Sequence, residues 1–249
     1  MIQVRHLRPF LALSVAALGA AAQVALAAPG ASSALQPAPA LSPAPALSGP
    51  SEAERLVSSV EARYGKEGSL AATFTQTFRS AATGQQLVER GRLWVKRPGQ
   101  MRWDYRQPDK KVFVVHRDGT TISYVPADYT AIKGRIPPDA PHLRLLIGDS
   151  HLGDGFAATI VKLKQPVFPD SRQLRLTPRK PTDGIEVIYL ELDRATLGVQ
   201  RVLVVDPLGN ESDLVLEKIS EDAHVQDDVF DLQLPAGVTV RDGSAVGGP

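Results

Sequence analysis

Between Gly91 and Pro108 the stretch GRLWVKRPGQMRWDYRQP alternates apolar and charged side chains on both sides of a Pro-Gly pair. Proline presets one turn dihedral and glycine tolerates the next, so Pro98-Gly99 reverses the chain. Beyond it Met101, Trp103 and Tyr105 alternate with Arg102, Asp104 and Arg106. A period of two puts the three large apolar groups on one face of a sheet and the charges on the other. The same parity groups Leu93, Val95 and Arg97 on the preceding strand, so one cation shares a face with apolar neighbours. That arginine requires an explanation.

The rest of the chain repeats the strand pattern. Leu70 to Phe78, Leu87 to Arg97, Met101 to Arg106, Val112 to His116 and Thr121 to Val125 form a first run. Asp118-Gly119 is a hairpin signal within it. Ala158 to Leu163, Arg172 to Thr177, Ile185 to Leu192, Gly198 to Val205 and Ser212 to Ile219 form a second run. Asp183-Gly184 and the segment Pro207 to Asn210 supply its turns. Before the first strand, Ser51 and Glu54 have the spacing of a capping box. Ala53, Leu56, Val57, Val60 and Tyr64 then follow at helical spacing and stop at Gly65.

Between Ile132 and Phe156 the strand pattern stops, and Pro137, Pro138 and Pro141 break the chain. Leu143, Leu146 and Ile147 stand at i, i+3, i+4, the spacing of a short helix ending at Gly148, with a further helical turn at His151 to Gly155. The expected fold is mainly β with some α: an unclosed antiparallel β-barrel of about ten or eleven strands, an N-terminal helix and a helical lid over the concave side. Two outcomes stay open. Trp103, Tyr105, Ile122 and Tyr124 either line a cavity or pack against the helix at Leu56 and Val60 and fill the barrel.

Residues 1–28 have the form of an export signal. Arg5, His6 and Arg8 precede an apolar run from Phe10 to Ala22, and Ala25-Leu26-Ala27 supplies a small-x-small cleavage pattern. The run is short and rich in alanine, whereas a membrane-spanning helix needs about 20 strongly apolar residues. Residues 29–50 alternate Ala, Pro and Ser without aromatic or charged side chains, the composition of a disordered tether. The folded domain is expected over 51–249.

At this point the residues resemble a known family. LWVKRP (Leu93 to Pro98), MRWDYRQPD (Met101 to Asp109), Phe74-Thr75-Gln76 in the first strand and the closing LPAGVTV together resemble LolA, the periplasmic outer-membrane lipoprotein carrier family. The resemblance covers about Ser51 to Asp242. It implies a hydrophobic cavity for the acyl chains of lipoproteins, delivered by an inner-membrane ABC transporter and passed to an outer-membrane lipoprotein acceptor. Arg97 matches the family's gate arginine, which bonds lid backbone carbonyls and latches the empty carrier shut, and Met101 matches a mouth position. The lid itself, Gly134 to Gly155, carries three prolines and departs from the family's pattern.

The site expected on these grounds is a lid latch at Arg97, a cavity and mouth at Val95, Met101, Trp103, Tyr105, Ile122 and Tyr124, and a lid at Leu143, Leu146 and Ile147. Water rejects acyl chains at about 0.8 kcal/mol per methylene, so covering half a long chain is worth several kcal/mol. A charge-assisted bond from Arg97 contributes roughly 1.5–3 kcal/mol, small enough for a ligand to overturn.

No enzyme motif accompanies this pattern. Nucleophile elbow, HExxH, P-loop and dinucleotide fingerprints are missing from the sequence. The complete lack of cysteine excludes disulfides, thiolate metal sites, a thiol nucleophile and lipidation of this chain at a cysteine. His142, Asp149, His151 and Asp154 match no standard zinc spacing. A formal net charge of +1 gives no nucleic-acid footprint. The expectation is a periplasmic, monomeric, cofactor-free lipoprotein chaperone that is not an enzyme. An envelope sensor or interaction module of the same fold, recognising a protein or peptide, is the alternative.

Overall fold

The computed structural model describes residues 49–136, 140–181 and 184–243. The expected export signal and nearly all of the Ala/Pro tract lie outside these residues, as do Pro137, Pro138 and Asp183.

The capping box forms as its spacing requires. Ser51 Oγ accepts from the Glu54 N–H (3.2 Å), and the Ser51 N–H donates to Glu54 Oε2 (2.7 Å). Helix α1 follows over Glu52–Tyr64, and the five residues of the expected stripe are its buried face.

Among the described residues twelve strands then build one sheet. A first meander comprises β1 (Gly68–Arg79), β2 (Gln86–Arg97), β3 (Gln100–Gln107), β4 (Lys111–Val115), β5 (Thr120–Val125) and β6 (Thr130–Arg135). The lid helices α2 (Pro141–Leu146) and α3 (Leu152–Gly155) come next. A second meander comprises β7 (Phe156–Ile160), β8 (Arg172–Pro178), β9 (Val187–Leu192), β10 (Val199–Val205) and β11 (Glu211–Glu221), and β12 (Thr239–Asp242) ends the described chain. The order across the sheet is β12-β6-β5-β4-β3-β2-β1-β11-β10-β9-β8-β7. Pairing of β1 with β11 splices the meanders, while β12 and β7 stay unpaired with each other and leave the barrel unclosed. All neighbours are antiparallel except β12, which runs parallel to β6.

Two features depart from the sequence expectation. Strand β6 falls where the pattern was expected to stop; its TAIKGR buries only Ala131 and carries two charges and a glycine, so it shows almost no alternation. Ile122 and Tyr124 do not face the interior. An Asp-Gly pair favours a two-residue hairpin turn, which would set Ile122 opposite Val115. The structure instead has a longer loop: the His116 N–H donates to Thr120 O (2.8 Å) and Gly119 adopts a φ of +79°. Pairing slips by one residue, Val115 meets Thr121, and Ile122 sits opposite Val114 on the outer face. A slip of one exchanges the two faces of a strand.

The inner face carries the core. Leu70, Ala72 and Phe74 of β1, Leu93 and Val95 of β2, Met101 and Trp103 of β3 and Leu214 and Leu216 of β11 join α1 and the lid helices in one buried apolar cluster. On the outer face the C-terminal segment forms a strap. Its Val225 and Phe230 bury against Val114, with Trp94 packed alongside. Lys96 Nζ reaches Asp227 (2.6 Å), Arg102 Nη1 donates to Val229 O (2.9 Å), and Ser69 Oγ donates to Ala223 O. The hydrogen bond from Lys96, and then its charge, hold the Asp227 carboxyl below the ordinary carboxylate range. A depressed folded pKa gives stability that is present above the unfolded value of 3.8 and lost as pH falls through the lower folded one. Acidification below that value is therefore expected to loosen the strap, read as a change in Trp94 emission in a Trp103→Phe background. Identical titrations with and without Asp227→Asn would refute this.

The outer face of the second meander holds a buried charge cluster. Glu191 is 1% exposed. It accepts from the Val167 N–H (2.9 Å) and the Phe168 N–H (2.7 Å) of the β7–β8 loop. Arg201 bonds it at 2.7 Å and grips Asp213 through two further nitrogens at 2.7 and 2.9 Å. The bond to Asp213 is the main reason the Arg201 guanidinium is held above its ordinary pKa.

Candidate functional site

The β2–β3 hairpin brings the expected inner residues together. Val95 pairs with Met101 and Leu93 with Trp103 across the ladder, and all four side chains are buried. Farther along, Gly91 opposes Phe74. A Cβ there would meet the Asp104 carbonyl oxygen at 2.1 Å and the Phe74 ring at 2.8 Å, so the missing side chain is what lets the ring and β3 come this close to Gly91. Phe74 meets Trp103 and Tyr105 edge-on, with ring centroids 4.7 and 4.9 Å away, a geometry favoured by the ring quadrupoles.

Polar groups finish this end of the trough. Tyr105 Oη donates to Gln76 Oε1 (3.0 Å), which gives the Gln of the Phe-Thr-Gln motif a role. Lys111 Nζ lies 4.1 Å from the centre of the Tyr105 ring and pairs with Glu89 at 2.8 Å. Burial, and then the Glu89 charge, raise the pKa of the Tyr105 phenol.

Arg97 closes the opposite end. It is 8% exposed, so the cation at the apolar face is neither stranded nor waving in water. Its guanidinium carbon sits 5.1 Å over the Tyr64 ring, a cation–π contact at the end of α1. Its Nε donates to Lys66 O (3.2 Å), in the turn between α1 and β1. The resemblance implied lid carbonyls as partners; the bond to Lys66 O runs to the α1–β1 turn instead. At the same edge the lid carbonyl Ile147 O accepts from the Gly99 N–H (3.0 Å). A glycine makes room on one side, since a Cβ on Gly68 would lie 2.9 Å from Arg97 Nη2; on the other, Gly148 lies within ordinary contact of the Arg97 stem, where a Cβ would be 3.6 Å from Cδ. Tyr64 is itself pinned, since its hydroxyl accepts from the Val199 N–H (2.9 Å). Burial is the largest influence on its phenol and raises the pKa.

The lid lies on this trough. Helix α2 starts with Pro141 at its first turn, where a missing N–H costs nothing, and ends before Gly148 (φ +79°). Leu143, Leu145, Leu146 and Ile147 are all buried in the cluster that contains Val95, Met101 and Trp103. Side chains of the lid thus occupy the apolar face. Two surface clefts flank it: one of about 290 Å³ lies between Val57, Glu61, Gly153 and Phe156. Another of about 380 Å³ lies beside Gly99, Arg117, Arg144 and Ile147.

Of the expected site residues, Val95, Met101, Trp103, Tyr105, Leu143, Leu146 and Ile147 come together with Arg97 at their edge. Ile122 and Tyr124 do not join them. Two ties of the lid were missed in the sequence: the Gly99 backbone N–H and Glu61, whose Oε1 accepts from Ser150 Oγ (3.2 Å), the Leu152 N–H and the Gly153 N–H (3.4 Å). A backbone donor leaves no trace in side-chain patterns. Glu61 looks like any solvated position beside a helix stripe.

Comparison with known proteins bears on this arrangement. The family model described as "Outer membrane lipoprotein carrier protein LolA" matches residues 66–233. An outer-membrane lipoprotein carrier protein of Photorhabdus laumondii subsp. laumondii is 28% identical over 189 residues, spanning 74% of this chain and 86% of that relative. One from Salmonella paratyphi A is 39% identical over 66 residues, 26% of this chain and 32% of the relative. The crystal structure of an uncharacterized conserved protein from Thermus thermophilus matches with a TM-score of 0.50 at 12% identity, covering 77% of this chain and 99% of that one. At such identity it speaks for the fold alone.

Proposed function

This chain belongs to the LolA family, and on that premise we propose that it is a periplasmic carrier that takes the acyl chains of lipoproteins into the trough beneath its lid. Loading would come from an inner-membrane lipoprotein-releasing ABC transporter, and unloading would go to an acceptor at the outer membrane. The observation that carries this reading is the lid itself, an apolar plug made of removable parts. Burying one such aliphatic side chain is worth about 1.5–3 kcal/mol. Leu143, Leu145, Leu146 and Ile147 together hold the lid down by roughly 6–12 kcal/mol as an upper bound. At about 0.8 kcal/mol per methylene, eight to fifteen buried methylenes offset that. Exchange of lid for acyl chain is then nearly balanced, as reversible carriage demands. The reading is of a carrier rather than a catalyst.

Arg97 is proposed as the latch, acting by tying the end of α1 to β2 directly beneath Gly148 of the lid. Its charge-assisted bond, worth about 1.5–3 kcal/mol, joins the α1–β1 turn to β2 and so acts on the lid only through the seat it gives Gly148. Arg97→Leu loosens that seat and weakens the empty, closed form, so release of a bound lipoprotein to an acceptor is expected to slow severalfold. Release at the native rate would remove Arg97 from the mechanism.

A second reading has one observation in its favour: the trough is filled by side chains, as befits an interaction module that recognises a protein or peptide on its surface. Mass spectrometry of material co-purified with the exported protein separates the two. Acylated lipoproteins are expected in the eluate; unacylated partners alone would favour the second reading.

A further inference from the structure

The two halves of the lid are held by different means. Helix α2 is anchored by its leucines and by one backbone bond from Gly99 to Ile147. Helix α3 is four residues long and buries a single side chain, Leu152. Its attachment is otherwise polar: Oε1 of Glu61 faces the Ser150 hydroxyl and the Leu152 and Gly153 amides, and at the far end Gly155 O accepts from the Arg179 N–H (2.8 Å). Among the described residues no cation pairs with Glu61; Arg179, on the same cleft, pairs with Glu54 at 3.8 Å. The carboxylate is therefore balanced by the donors of α3, and a charged acceptor makes such bonds the stronger kind. Between the halves stand Gly148, in the left-handed region, and Asp149, whose side chain reaches back to Arg144 of α2.

We propose, resting on the carrier reading, that Glu61 is a positioning residue that welds α3 to α1, so that opening is confined to α2 swinging about Gly148–Ser150. Glu61 fixes the base of the hinge. The moving part is then an apolar flap of one helix, and its seat returns to the same place after each release.

Hydrogen exchange on the intact protein tests this amide by amide. In Glu61→Ala without ligand, exchange at Leu152 and Gly153 is expected to rise at least tenfold while strand amides keep their protection. Glu61→Gln, which retains an acceptor oxygen and the helix, should give a smaller rise at the same two amides. Glu54→Ala, which removes a cap from the same helix, should leave them unchanged. Addition of a synthetic triacylated lipopeptide to the native protein should deprotect Arg144 and Ile147 and leave Leu152 and Gly153 protected. Unaltered exchange at Leu152 and Gly153 in both Glu61 variants would overturn the proposal, as would their deprotection together with α2 on lipopeptide binding. A lipopeptide that alters no lid amide would count against the carrier reading, and the ligand-free comparison would still decide the role of Glu61.

Discussion

Replacement of Gly148 by valine is expected to weaken the seating of the lid, and to raise the binding of an apolar fluorescent probe or fatty acid by about fivefold or more. Gly148 has a φ of +79°, where a β-branched residue is a genuine outlier. Such backbone strain costs about 1–3 kcal/mol. The space is closed as well: a Cβ would lie 2.6 Å from the Tyr64 carbonyl oxygen. That oxygen cannot retreat easily, because Tyr64 is buried, stacked under Arg97 and bonded through its hydroxyl to β10. The part that yields is the lid, whose polar ties are few. One to three kcal/mol shifts the closed-to-open ratio by roughly 5–150-fold, and each open molecule exposes the face now covered by Leu143, Leu145 and Leu146. Tightened probe binding with the sheet still cooperatively folded would support the exchange of lid for acyl chain. Probe binding at the native level, with unchanged exchange at the α2 amides, would show that the lid does not control access.

How much of this was legible in the sequence depends on what each pattern encodes. Period-two alternation fixes which residues of one strand share a face, and so the grouping of Leu93, Val95 and Arg97 on β2, and of Met101, Trp103 and Tyr105 on β3, was readable from spacing alone. The strand-ending cation was readable too, as a polar group at an apolar edge. Alternation does not say which face is inside. That information lies in register, and register past the Asp118-Gly119 turn rests on whether the loop holds two residues or three. Ile122 and Tyr124 were lost to that one residue. Tertiary pairing explains the remaining gaps: β6 exists because β5 and a parallel β12 flank it, and its own six residues carry no strand signal. Glu61 and the lid amides are about ninety residues apart in the chain, beyond the reach of any local pattern. The family resemblance supplied the latch arginine, yet its partner at Lys66 follows from where α1 ends.

Loss of the Glu191 carboxylate is expected to destabilise the fold strongly, while leaving the trough untouched. In the sequence this residue is one acid within VIYLEL, an otherwise apolar strand whose residues are nearly all buried. A carboxylate there survives only if its charge is matched, and it is matched twice over, by Arg201 and by two amides of the β7–β8 loop. Glu191→Ala removes the acceptor of both amides and leaves the guanidinium to Asp213 alone. Breaking one side of a buried pair costs about 3–5 kcal/mol, because the remaining groups stay desolvated without compensation. That is a large share of the 5–15 kcal/mol that typically separates folded from unfolded domains. In urea the midpoint should fall with little change in slope, the sign of lost stability rather than altered compactness. Glu191→Gln should fall less, since one oxygen still accepts. Glu191 lies on the outer face of the sheet, opposite the lid. Probe binding per folded molecule should accordingly match the native protein in both variants. A midpoint shift equivalent to less than about 1 kcal/mol would mean that Asp213 alone satisfies Arg201, and that the loop amides find water instead. Altered probe binding at full folding would mean that the two faces of the sheet are coupled, and the separation of scaffold from trough would have to be abandoned.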